Sequence, residues 1–132
     1  MKTHAFRLRP GDDLKAGIIQ VALERKVEAG IILTCVGSLR RAHLRFADQL
    51  EGTLLREKFE IVSLEGTVST GGVHLHLALS DADGGLVGGH LLEGCLVHTT
   101  AEVVIGELQG VRFVREVDLD TGYQELTIYE EE

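Results

Sequence analysis

Polar and apolar residues alternate strictly along Val73-His74-Leu75-His76-Leu77-Ala78-Leu79-Ser80. A period of two is that of a half-buried strand, which assigns Val73, Leu75, Leu77 and Leu79 to a core face. His74 and His76 then project together from the opposite face, their Cα atoms roughly 6–7 Å apart. The DADGG sequence at 81–85 supplies the residues of a tight reversal, so 86–91 reads as the second arm of a hairpin and carries His90.

The same reading extends over the rest of the chain. His4 to Arg9 alternates weakly and predicts a first strand. Asp12 or Asp13 caps a helix expected to reach about Glu28, with Gly30 as its terminator; Leu14, Ile18, Val21 and Ala22 form its apolar stripe, and Glu24, Arg25, Lys26 and Glu28 its solvated end. Ile31 to Val36 is a β-branched run expected to end at Gly37–Ser38, and the alternation of Ala42, Leu44 and Phe46 favours a strand over 39–47. Phe59 to Leu64 and Gly66 to Ser69 read as strands, with Gly66 marking a bulge. Residues 95–108 form a long strand with Cys95, Val97, Thr99, Ala101, Val103 and Ile105 on its core face. Gln124 to Tyr129 closes the fold, and residues 129–132 are expected to be an acidic tail. One principal helix near the N-terminus and a mainly antiparallel sheet predict an α+β domain spanning 1–132.

Composition narrows the function classes. The 132 residues are 44% hydrophobic without a tryptophan, so the core rests on Leu, Val, Ile and Ala. No apolar run approaches the ~20 residues of a membrane span, and 1–13 lacks the apolar segment of a signal peptide; the expected compartment is the cytoplasm. Cys35 and Cys95 form no CxxC pair and are expected as buried thiols. The net charge of −8 opposes nucleic-acid binding, which relies on neutralising phosphates.

Three neutral imidazoles suit Zn²⁺ at roughly 2.0–2.1 Å and leave a fourth position for water or a ligand. His74, His76 and His90 therefore form either a metal site or the solvated face of a hairpin. Glu102, on a face shared with His98 and Thr100, is a candidate ligand-facing acid; Glu102 or Glu93 would serve as base if an open zinc activated water. Gly84–Gly85 and Gly88–Gly89 match neither GxGxxG nor a P-loop and suit a tight hairpin. Arg40, Arg41, His43 and Arg45 form the basic cluster, placed either in a cleft that holds an anionic ligand or along a solvated strand edge. Ser38 lacks a base and an orienting acid, so it carries no nucleophile signature.

The segments FEIVSLEGTVS (59–69), HLHLALSDADGGLVGGHLLEG (74–94) and AEVVIGEL (101–108) closely resemble the plant-and-prokaryote-conserved (PPC) domain, and 11–46 fits the same pattern. The resemblance implies an α/β sandwich-like domain assembled as a homotrimer, with metal at the histidine cluster in some members. Plant members carry an AT-hook whose Arg-Gly-Arg core enters the DNA minor groove; this chain has no such sequence, and a trimer would carry a formal charge of about −24. Arg45 follows Leu44 as in the family's Leu-Arg pair. The family's partner-contact segment matches Lys58 to Val62, although Glu57 stands where a glycine is usual. These features imply a homotrimer that binds zinc or a small anionic ligand, with a DNA-associated regulator and a metal-dependent hydrolase as alternatives.

Overall fold

The computed structural model describes residues 1–131. It contains β1 (Lys2–Leu8), α1 (Leu14–Glu24), β2 (Gly30–Arg45), β3 (Thr53–Leu55), β4 (Phe59–Ser69), β5 (Gly72–Ser80), β6 (Leu86–Leu91), β7 (Leu96–Glu107), β8 (Val111–Val117) and β9 (Gln124–Glu130). Seven strands form one antiparallel sheet in the order β1-β7-β2-β4-β5-β6, with β3 beside β2. The last strand of that path returns to β2, where Leu44 and Arg45 pair with Leu91 and His90, so β2, β4, β5 and β6 form a closed ring. β8 and β9 make a separate hairpin, joined to the body where the Phe113 N–H donates to the Glu28 carbonyl.

This architecture corrects the expected α+β, α/β sandwich-like class. Among the described residues there are nine strands and a single 11-residue helix, and the segment assigned to the helix's last turn does not propagate it. Arg25 caps α1, and Lys26 takes a left-handed φ of 54°. The Lys26 N–H reaches the Leu23 carbonyl and the Val27 N–H reaches Ala22 at 2.9 Å, a Schellman closure with Val27 buried beneath it. Gly30, expected as the terminator, instead starts β2. Asp13 begins the helix: Oδ1 accepts the Ala16 N–H at 2.9 Å, and Oδ2 accepts the Gly94 N–H at 2.6 Å. Leu14, Ile18 and Ala22 are fully buried against the sheet.

β2 is continuous through Gly37, where a strand end was expected. Between the pairs Gly37↔Ala101 and Leu39↔Val97, β2 advances two residues while β7 advances four. The surplus bulges β7, and a Cβ at Gly37 would collide with the Thr100 carbonyl. The same bulge turns Thr99 out of the core face assigned to it, where its hydroxyl pairs with Ser38 Oγ at 2.9 Å; Cys95, Val97, Ala101, Val103 and Ile105 remain buried. In β4 the register slips at Val62 rather than at Gly66. β3 and β8, which the residue pattern did not reveal, are added, and β9 runs through the expected Gln124 to Tyr129 and takes in Glu130 from the tail. Glu132 lies outside the described residues.

Lys26 holds a conformation that costs a non-glycine residue roughly 1–3 kcal/mol. Lys26→Gly is therefore expected to raise stability by about 1 kcal/mol, after the glycine's greater unfolded-state entropy is deducted. The midpoint of urea unfolding, at unchanged slope, checks this.

Candidate metal centre

The histidine site follows from strand pairing. In β5, Leu75, Leu77 and Leu79 are buried while His74 and His76 face outward. The β5–β6 register sets His90 directly across from His76, and cross-strand partners share a face. Ring centroids lie 5.0 Å apart for His74–His76, 5.2 Å for His74–His90 and 5.8 Å for His76–His90. One ring nitrogen from each falls within 4.8 Å of the other two. His43 gives its Nδ1 to the Glu93 carbonyl at 2.7 Å, and His4 pairs with Glu107 at 3.2 Å. Among the described residues, no hydrogen bond comparably engages the ring nitrogens of His74, His76 or His90.

Glycine gives the backbone its closeness here. Gly66, at φ 147°, lies against the backbone of His74, and any side chain there would strike the His74 carbonyl. On the outer face β4 presents Glu65 opposite His76 and Thr67 opposite His74. Gly88 continues the face of His90 without a side chain, which leaves the floor beside the triad open.

The surroundings hold two of the imidazoles neutral. Burial, followed by the charge of Arg45 and smaller effects from His74, Lys15 and His76, lowers His90 to about 4. His74 is lowered by burial first, then by His76 and Arg115; Glu125 opposes the shift. A metal must compete with protons for its ligands, and this competition is weak at neutral pH.

The triad opens into a cavity of about 1050 Å³, also lined by Arg45, Asp48, Arg115 and Glu125. Arg45 stands beside His90 in the β2–β6 pairing. Arg115 reaches in from β8 and donates from Nη2 to Thr67 Oγ1 at 2.8 Å. The expected ligand-facing acid is elsewhere. Glu102 sits on β7 opposite Arg7 and Val36 and lines a second groove with His98 and Ser38. β2 separates β7 from the histidine hairpin, so strand order keeps Glu102 from the triad. Glu93 is exposed and does not line the cavity, so neither expected base is in place; Glu125 is the glutamate that does. The basic cluster also divides: Arg41 Nε binds the Gly94 carbonyl at 3.0 Å, Arg40 is exposed outside the cavity lining, and Arg45 lines the site. Arg115 and Glu125 were missed because their short strands gave no sign of folding back over β4 and β5. Cys35 and Cys95 are free and buried, each thiol pushed up to about 11 chiefly by burial.

With this geometry established, sequence comparison adds its own result. The Plants and Prokaryotes Conserved (PCC) domain profile matches residues 1–109. The chain belongs to this family. A solved protein of Salmonella enterica is 41% identical with a TM-score of 0.95, covering 98% of this chain and 94% of that one. A metal-containing protein of Archaeoglobus fulgidus is 32% identical with a TM-score of 0.82, covering 96% and 94%. The bifunctional protein GlmU of Synechococcus sp. strain JA-3-3Ab is 48% identical over 128 residues. That match takes in 97% of this chain but only 21% of the longer protein.

The lowered His90 sets a pH dependence for the metal-free protein. Between about 4 and the ordinary value of 6.5, the unfolded chain binds a proton at this position that the folded chain does not. Stability is therefore unaffected by this group above 6.5, falls as pH drops through the window, and keeps the full loss below 4. Unfolding midpoints measured from pH 7 to 4 are expected to fall more steeply for the native protein than for His90→Asn.

Proposed function

We propose that this PCC-family domain holds a zinc ion on His74, His76 and His90 and presents the ion's open position to a small ligand. The observation that carries this is three imidazoles converging within ligand distance, with no competing hydrogen bonds from the protein. Tetrahedral zinc with bonds of about 2.0–2.1 Å needs nitrogens roughly 3.3 Å apart, which side-chain rotation can provide from the 4.8 Å envelope. All-nitrogen donors on neutral rings suit zinc better than a hard, oxygen-seeking cation. Resemblance to the metal-containing A. fulgidus protein supports the reading. Glu65, across from His76, is placed to orient that ring through its second nitrogen.

Elemental analysis of tag-free protein tests this. Near-stoichiometric zinc is expected in the native protein, and His76→Ala should lose it, with affinity reduced more than about 100-fold. Retention of zinc by the variant, or failure of the metal-free native protein to take up zinc on titration, would remove the site.

The same proposal places the domain in a homotrimer. Val36 and Val62, 56% and 54% exposed, flank the Gly37–Ile61 pair on neighbouring strands, and Leu33 is 45% exposed nearby on β2. Light scattering is expected to give three times the 14.4 kDa chain mass. Val36→Asp combined with Val62→Asp should reduce it to one.

A further inference from the structure

We infer that the ligand taken at the histidine site is a small dianionic oxyanion, gripped between Arg45 and Arg115 while one of its oxygens occupies the metal's open position. The inference rests on the zinc reading for that last contact and for the ligand's double charge; the arginine clamp does not depend on it. The two arginines bracket the triad from different elements. Arg45 is the cross-strand neighbour of His90, at one end of the cluster. Arg115 is tied to Thr67, the cross-strand neighbour of His74, at the other end. Each arginine therefore reaches the cavity beside a different member of the triad, and both line it together with the three histidines.

Among the described residues neither arginine has an ionic partner. The ion pairs among the described residues are His4–Glu107 and Arg112–Glu131, both away from the cavity. The single bond from Arg115 to Thr67 fixes the side chain's direction while leaving other guanidinium donors free; five such donors in a planar fork match a carboxylate or phosphate edge.

Charge sets the ligand's valence. Arg45 and Arg115 are balanced formally by Asp48 and Glu125 in the same lining. A divalent ion on three neutral imidazoles then leaves two positive charges uncompensated, in a concave site of a protein whose net charge is −8. A dianion neutralises that excess. The family match ends at residue 109, whereas Arg115 and Glu125 lie on the β8–β9 hairpin beyond it. The hairpin therefore adds a wall that selects the ligand over a metal floor supplied by the matched segment.

Cobalt-loaded protein, titrated with malonate, inorganic phosphate and the neutral analogue malonamide, tests the inference through the cobalt absorption bands. Calorimetry on metal-free protein runs alongside. Malonate or phosphate is expected to bind and shift the bands, and malonamide to leave them unchanged; whichever anion binds more tightly identifies the class as carboxylate or phosphate. Arg45→Gln and Arg115→Gln should each weaken the anion by about tenfold or more, the value of a charged hydrogen bond, while the variants still take up cobalt. Thr67→Val, which frees Arg115 without removing its charge, should weaken the anion less, and thermal melting confirms that each variant is folded. Cobalt binding with no anion binding, or anion binding indifferent to both arginines, overturns the inference and leaves the metal reading intact. Arginine-dependent anion binding to a protein that takes no metal removes the metal reading and keeps the clamp. Failure of both removes both.

Discussion

The antiparallel register between β5 and β6 is the constraint on which the rest depends. It sets His76 across from His90 and leaves His74 one pleat further along the same face. A slip of one residue would send His90 to the core face, since side chains alternate with a period of two. That error would also expose Leu91 and drive the polar ring into apolar surroundings, so burial of Leu75, Leu77, Leu79 and Leu91 enforces the geometry of the site. The chemistry on the outer face thus inherits its precision from the hydrophobic effect on the inner one.

A second constraint is the length and bending of β2. The strand pairs with β4 and β7 over its first part and with β3 and β6 near its end. One continuous element therefore places Gly37 at the bulge of β7 and Arg45 at the rim of the histidine cavity. Backbones cross too closely at Gly37 and Gly66 for any Cβ, and at Gly66 the strand so approached carries His74. Asp13 links the helix to the same framework: one carboxylate caps α1 and holds Gly94, three residues after β6 ends. Helix initiation and the exit from the histidine hairpin are thereby joined.

What the sequence disclosed follows from how local each signal was. The β5–β6 hairpin was legible because alternation and a DADGG turn are complete within 19 residues. Its three histidines came with it, and the resemblance of 59–108 to a known domain pointed to the family that comparison then showed. The helix was overextended since Arg25, Lys26 and Glu28 have ordinary helix propensity; nothing local announces that Lys26 turns left-handed to bury Val27. Gly37 was misread as a strand end because a glycine required by the Thr100 carbonyl, far along the chain, looks in sequence like one that ends a strand. Glu102 was selected from its own strand's polar face, but strand order decides which polar faces meet, and β2 separates β7 from the hairpin. Arg115 and Glu125 were invisible for the converse reason: only the docking of Phe113 and the Arg115–Thr67 bond bring β8 over the site.

The electrostatics of the centre and of the whole chain point in opposite directions, and that opposition is informative. A surface with 21 acidic and 13 basic side chains repels polyanions at long range, and screening removes most of that field within about 8–10 Å at physiological salt. Inside a concave site the local charges prevail, because each acts through less solvent than an exposed pair. The guanidinium of Arg45 helps keep His90 unprotonated, which in the proposed site would preserve a metal ligand, and it lines the cavity where the proposed anion would sit. In that proposal one side chain would act on both the metal and its ligand. The acidic surface and the basic lining of this cavity therefore act over different ranges, the one at a distance and the other at contact.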